Sequence, residues 1–319
     1  MSRIANLDGR AWRRGGAARR DFVRRLNLAC RRDGVFYLHH HTIAPATTQA
    51  CFTAAAAFFA LPVEEKNRLH IAHSPCHRGW FPIGGEILDP KTCPQGDYKE
   101  GLKIGYELDA SHPRVRAGMP LHGPNQWPNE TALGLVGWKA SMLAYYRASL
   151  ALARDLMHAM ALALELPATY FDGWLTEPMA TLAPLRYPPQ PRGQIGAAPH
   201  TDFGCFTLLM QNKLPGMEVE TAQGWQLLAV RDDALIVNLG DMLARWTNDY
   251  YRSPRHRVRN QNRTARQSLA FFFDPDPHAP IAALPGRVRR GEEPHYPPTT
   301  GLEHLLQKID ASFAHRQQP

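Results

Sequence analysis

Between Thr181 and Phe273 the chain is a succession of short apolar segments, TLAPLRY, CFTLLMQ, MEVET, WQLLAV, ALIVNLG and QSLAFFF, separated by Gly, Pro, Asn and Asp. Their length and spacing predict many short strands, hence a β-barrel or sandwich. Ahead of them the chain reads as helix, strand, helix and then irregular ground. From Ser74 to Pro128 the Gly and Pro density rises and periodicity fades, which predicts long loops of the kind that often cover a substrate. Gly134 to Leu166 is the clearest helix, with Trp138, Met142, Tyr145, Leu152 and Leu156 on one stripe and Pro167 closing it. Such a helix is expected to back one face of a sheet, and His158 within it reads as a polar-face or satisfied histidine. The pattern as a whole is a β-rich core with helical support.

Within the strand-rich part, His200-Thr201-Asp202 sits in an extended segment, where residues two apart point to one face. An imidazole and a carboxylate held side by side are two of the three protein ligands of the facial triad that binds Fe(II) and leaves positions open. A second His is then required, and His256, after 53 intervening residues, is the best candidate. Ten residues beyond it, Arg266 and Ser268 are again two apart in a strand-like segment. Asp241 could replace Asp202 as the carboxylate, but it follows a turn glycine, where an Asx-type backbone hydrogen bond is the expected use. His39, His40 and His41 cannot converge on one ion, because consecutive strand residues face opposite ways; they read as a strand-end turn.

The spaced set of His200, Asp202, His256, Arg266 and Ser268 resembles that of the isopenicillin-N-synthase-like branch of the Fe(II)/2-oxoglutarate-dependent oxygenases. The resemblance covers nearly the whole chain. GVFYLHHHTI looks like the family's early strand and N-H-G turn, with His40-His41-Thr42 lacking the glycine; AFFALPVEEKNRL, RGWFPIGGE, DYKEGLKIG, LPATYFDGW, LRYPPQP, VNLGDMLARWTNDYYRSPRHRV and YPPTTGLEHLLQKI match later stretches. It implies a mainly β fold, a double-stranded β-helix (jelly roll) with N-terminal helices and a C-terminal helix near Gly301 to Phe313. A single oxygenase domain, 1–319, is expected: 1–180 as mainly helical and loop-rich support, 181–275 as the jelly-roll core with the iron site, and 276–319 as a Pro-rich segment and helix.

The function implied is oxidation of a small organic molecule, hydroxylation first, with succinate and carbon dioxide released from 2-oxoglutarate. His200, Asp202 and His256 would hold Fe(II), leaving room for cosubstrate and dioxygen. Arg266 offers a planar fork to the distal carboxylate of 2-oxoglutarate, Ser268 a hydroxyl and Tyr187 a phenol completing the pocket. Phe203, Leu208 and Phe271 are expected to keep water away, and Arg78, Trp80, Lys99, Glu100 and Arg186 lie in regions that border such pockets. The same motif also suits oxidases that do without 2-oxoglutarate, as isopenicillin N synthase and the ascorbate-using aminocyclopropane-carboxylate oxidases do, and an ethylene-forming variant.

A third alternative is a non-catalytic polyanion-binding protein. The net charge of +8 invites it, but ten Arg against Asp8 and Asp21 lie in residues 1–32, and the rest of the chain is formally neutral. There Phe22, Leu26, Ala29 and Cys30 fall at helical spacing among the arginines, which predicts an amphipathic helix with a solvated basic face; residues 1–14 read as a solvated tail. Nucleic acid is therefore not an expected partner. Five scattered cysteines without C-x-x-C spacing suggest reduced thiols. No apolar run approaches a membrane span and no signal-peptide core is present, so a cytoplasmic location is expected.

Overall fold

The computed structural model describes residues 4–191, 194–313 and 316. In chain order the elements begin β1 (Ala5–Asp8), α1 (Gly9–Arg14), α2 (Gly16–Arg32), β2 (Val35–His39), α3 (Pro45–Phe59) and α4 (Val63–Asn67). Next come β3 (Gly79–Phe81), β4 (Glu100–Gly105), α5 (Pro113–Arg116), α6 (Trp138–Ala163), β5 (Thr181–Tyr187), β6 (Ala197–His200) and β7 (Phe206–Gln211). The chain continues through β8 (Met217–Thr221), β9 (Gly224–Leu227), β10 (Ala234–Leu239), α7 (Asp241–Trp246), β11 (His256–Val258) and β12 (Arg266–Phe273). It closes with β13 (Pro280–Ile281), β14 (Thr299–Thr300) and α8 (Gly301–Ser312).

Eight strands form one sheet in the order β1-β2-β10-β7-β12-β5-β4-β3, and four form a second, β6-β11-β8-β9. Side-chain alternation along β12 shows how they stack. Leu269, Phe271 and Phe273 pack on the helical side, with the Phe271 ring 5.2 Å from that of Tyr146 on α6. Ala270 and partly buried Phe272 face the other way, into a cluster shared with Ala197, Met217, Val219 and Val258 of the small sheet. The core is thus the expected jelly roll, with α2, α3 and α6 covering the outer face of its large sheet.

The expectation for residues 1–180 is corrected in one respect. Four of the eight large-sheet strands, β1 to β4, come from this mainly helical and loop-rich part; β2 is the expected early strand, whereas β1 was not foreseen and β3 and β4 come from the stretch read as loops. Nor are residues 4–14 a solvated tail, residues 1–3 lying outside the described residues: β1 pairs in parallel with β2, and Leu7 is 1 % exposed. The strand was illegible because ANLD is too short to show alternation. In α2 the buried residues are Phe22, Leu26, Ala29 and Cys30, as the helical spacing predicts.

Helix α6 is shorter than the Gly134–Leu166 expected. It begins after Gly137, at φ 80°, where the Glu130 carboxylate accepts from Gly137 N at 2.9 Å and Lys139 N at 2.6 Å. It ends before Pro167 because Glu165 turns into the left-handed region at φ 64°. All five residues of its predicted stripe are buried, and His158 pairs with Asp172 at 2.8 Å. The histidine run does end a strand: His40 has φ 50°, while His39 and His40 bond to Asp233 and Asp8 respectively. The cysteines are all free and buried, and among the described residues no helix is long and apolar enough to cross a membrane.

Candidate active site

β6 and β11 run antiparallel in the small sheet, with His256 directly opposite His200. The two rings lie 4.3 Å apart between centroids. Asp202 is two residues past His200 but beyond the end of β6, so a loop rather than a strand face presents it. That corrects the expected extended geometry without separating the pair. Asp202 Oδ1 lies 3.6 Å from Nε2 of both histidines, and one ligand atom from each residue falls within 4.8 Å of the others. These three side chains could hold a metal ion.

Their surroundings orient them for it. His200 Nδ1 lies 2.7 Å from Ala198 O and His256 Nδ1 3.2 Å from Pro254 O. With Nδ1–H donated to a carbonyl, each ring turns a lone pair on Nε2 towards the centre. Burial, reinforced by His256, holds the His200 pKa well below the ordinary histidine value, which keeps the imidazole a neutral donor. Asp202 Oδ2 accepts from Thr207 Oγ1 and from Asn238 Nδ2 at 2.5 Å, leaving Oδ1 turned to the histidines. Thr207 on β7 and Asn238 on β10 are register partners, a juxtaposition absent from the linear sequence.

The triad opens into a cavity of about 130 Å³ between the sheets, lined among others by Tyr187, Arg266 and Ser268. Arg266 is 0 % exposed and sits opposite Tyr187 in the β12–β5 register, its guanidinium carbon 4.9 Å from the ring centre. Nη2 donates to Gln211 Oε1 at 2.8 Å, whereas Nε, Nη1 and Ser268 Oγ are buried without a partner. Buried unpartnered donors are costly; the oxygens of a bound carboxylate would supply acceptors here, so the residues present fit an anionic cosubstrate as well as a metal.

Not every expected residue reaches this cavity. Arg78 and Lys99 line it, but Glu100 is engaged by Lys66, Trp80 and Arg186. Phe203 is at the wall, whereas Leu208 and Phe271 face the helical side; the cavity positions are their strand neighbours Leu209, Ala270 and Phe272. Asp241 is not held by a backbone Asx bond but binds Thr201, Ser253 and Lys308 side chains. Through Lys308 it ties down α8, which brings Leu305 and Ile309 to the cavity, with Phe313 just beyond. Asp274, at the end of β12, was also missed: burial and then the charge of Asp202 raise its carboxyl to about 7. Strand parity from Ser268 through Ala270 and Phe272 is the signal that leads to it.

Comparison with known proteins gives the family. Residues 4–130 match the model of the non-haem dioxygenase in morphine synthesis N-terminal family, and residues 177–275 that of the 2OG-Fe(II) oxygenase superfamily. A 2-oxoglutarate-Fe(II) type oxidoreductase of Emericella nidulans is 37 % identical over 292 residues, 89 % of this chain and 83 % of that one. A proline hydroxylase of Petromyces alliaceus is 32 % identical over 86 % of this chain and 88 % of its own length. A full-length Neurospora crassa protein, solved in complex with alpha-KG and thymine, superposes with a TM-score of 0.84 at 28 % identity, covering 97 % of this chain and 96 % of that one. The chain belongs to the 2-oxoglutarate-Fe(II) oxygenase superfamily, and is a dioxygenase dependent on iron(II) and 2-oxoglutarate.

Proposed function

We propose that this chain hydroxylates a small organic molecule, with His200, Asp202 and His256 as the iron ligands and Arg266, Ser268 and Tyr187 as the 2-oxoglutarate pocket. The carrying observation is that the unpartnered donors of Arg266 and Ser268 open into the same buried cavity as the triad. Thymine bound to the Neurospora crassa protein and the proline hydroxylase among the relatives support a small-molecule substrate.

Bound iron(II), with 2-oxoglutarate and dioxygen, supplies the oxidising power, releasing succinate and carbon dioxide. The chain's own residues prepare the site. Ala198 O and Pro254 O fix the tautomers of the two histidines, and Thr207 and Asn238 orient the Asp202 carboxylate. Arg266 presents a planar, charged guanidinium with donors still unpartnered, to which a carboxylate can bind. Leu209, Phe203, Phe272 and Leu305 surround the cavity with apolar surface that limits access of water.

The test is an anaerobic titration of iron(II)-loaded protein with 2-oxoglutarate, read by the weak metal-to-ligand charge-transfer absorption, followed by substrate-dependent succinate release in air. Both signals are expected. Oxidation of a substrate with no 2-oxoglutarate present would overturn the reading.

A further inference from the structure

A second buried guanidinium faces the same cavity, and among the described residues no carboxylate bonds to it. Arg78 is 3 % exposed and follows the turn that leads into β3. Its side chain lies against Gly105 so closely that a Cβ there would fall 1.9 Å from the guanidinium carbon. Gly105 is the register partner of Thr181, and Thr181 of Phe272, both of them cavity-lining, so the glycine leaves space on the cavity face of β4 that Arg78 fills.

The contacts of that guanidinium among the described residues are backbone carbonyls: Nη2 donates to Leu121 O at 2.9 Å, Nη1 reaches His77 O at 3.5 Å, and Nε is buried without a partner. The carboxylate whose charge reaches it, Glu107, is held by Asn125, Trp127 and Lys139. The neighbouring cations are compensated, Lys99 by Asp97 and Glu86, and Lys103 by Glu86. A buried charge is ordinarily paired. Arg78 is the cation on this side of the cavity left for a ligand to neutralise.

That ligand is not 2-oxoglutarate. In register Arg78 stands level with Phe272, while Arg266 lies six residues away on the same strand, roughly 20 Å along it at the rise of a strand. A five-carbon dicarboxylate cannot span the two. Resting on the reading of this cavity as the oxygenase active site, we propose that Arg78 binds a carboxylate of the primary substrate, so that the enzyme acts on a small carboxylic acid in its ionised form. Leu121 and Met179 at the cavity wall provide apolar surface for the rest of such a molecule.

The test uses iron(II)-loaded, 2-oxoglutarate-bound protein under anaerobic conditions and measures calorimetric binding of matched acids and amides: benzoate with benzamide, cyclohexanecarboxylate with its carboxamide, and proline with prolinamide. At least one acid is expected to bind about 30-fold or more tightly than its amide. Arg78→Gln removes that preference, by about 30-fold or more as for other truncated buried charge pairs, and Arg78→Lys restores part of it. The charge-transfer titration with 2-oxoglutarate stays unchanged in both variants, which also shows that they fold. A panel in which no acid outbinds its amide, or an Arg78→Gln protein that keeps the preference or loses 2-oxoglutarate binding, overturns the proposal. Absence of the charge-transfer band in the wild-type protein would strike instead at the function proposed for the cavity.

Discussion

His200 and His256, 56 positions apart in the chain, are direct register partners across β6 and β11, with both Nε2 atoms 3.6 Å from the same Asp202 oxygen. Replacing His200, Asp202 or His256 by Ala is expected to abolish iron-dependent turnover while leaving the far-ultraviolet circular dichroism spectrum unchanged, because each side chain ends at the cavity wall and none supports the core. Succinate formation at the wild-type rate by Asp202→Ala would remove that residue from the triad.

The partners of Asp202 carry their own prediction. Thr207→Val and Asn238→Leu keep the approximate volume but each removes one of the two donors to Oδ2, and outer partners of this kind typically account for roughly 10-fold to 100-fold in metal affinity. Iron(II) titrations of the two variants measure it. An unchanged dissociation constant in both would show that the carboxylate holds its orientation without them.

For Arg266→Gln the apparent KM for 2-oxoglutarate should rise at least about 30-fold, since truncating one partner of a buried charge pair costs roughly 2 to 5 kcal/mol. Arg266→Lys should recover only part, the ammonium lacking the planar two-point geometry. Iron binding survives both changes. An Arg266→Gln enzyme with unaltered KM would place the distal carboxylate elsewhere.

Asp274 sets a pH dependence of the metal-free protein. Its carboxyl is raised from an ordinary 3.8 to about 7, first by burial and then by Asp202, so the folded state holds a proton that the unfolded chain gives up. Stability from this group is complete below pH 3.8 and is lost as pH rises to about 7, a decline of the order of 4 kcal/mol. Glu86 titrates in a separate window: burial opposes ionisation, but Lys99 and Lys103 bring it down to about 2, so its contribution is lost only on acidification. Between about pH 4 and 7, Asp274→Asn should therefore flatten the fall of melting temperature with pH, to be followed by calorimetry on apo protein. Parallel curves for variant and wild type would contradict the assignment.

The N-terminal strand is structural. Leu7→Ala should destabilise the protein by about 2 to 5 kcal/mol, the usual range for a buried leucine, and deletion of residues 1–14 should lower the melting temperature further by removing β1 from the sheet edge. A truncated protein as stable as the full chain would return these residues to the role of a solvated tail.

Legible in the sequence were the β-rich class of the core, the six apolar strand segments between Thr181 and Phe273, the apolar stripes of α2 and α6, and the spacing that singles out His200, Asp202, His256, Arg266 and Ser268 as candidates. These are local periodicities and fixed spacings, which survive in one dimension. The tertiary structure decided what depends on register and parity. A strand as short as β1 shows no alternation until β2 lies beside it, and the lengths of α6 and β6 were set by the φ of Gly137 and Glu165 and by a loop at Asp202. Which of Leu208 or Leu209 and Phe271 or Phe272 lines the cavity is a one-residue question that apolar character on both sheet faces cannot answer. Thr207, Asn238, Asp274 and Arg78 acquire their roles through neighbours distant in the chain, because hydrogen-bond partners and buried charge are properties of packing, not of composition.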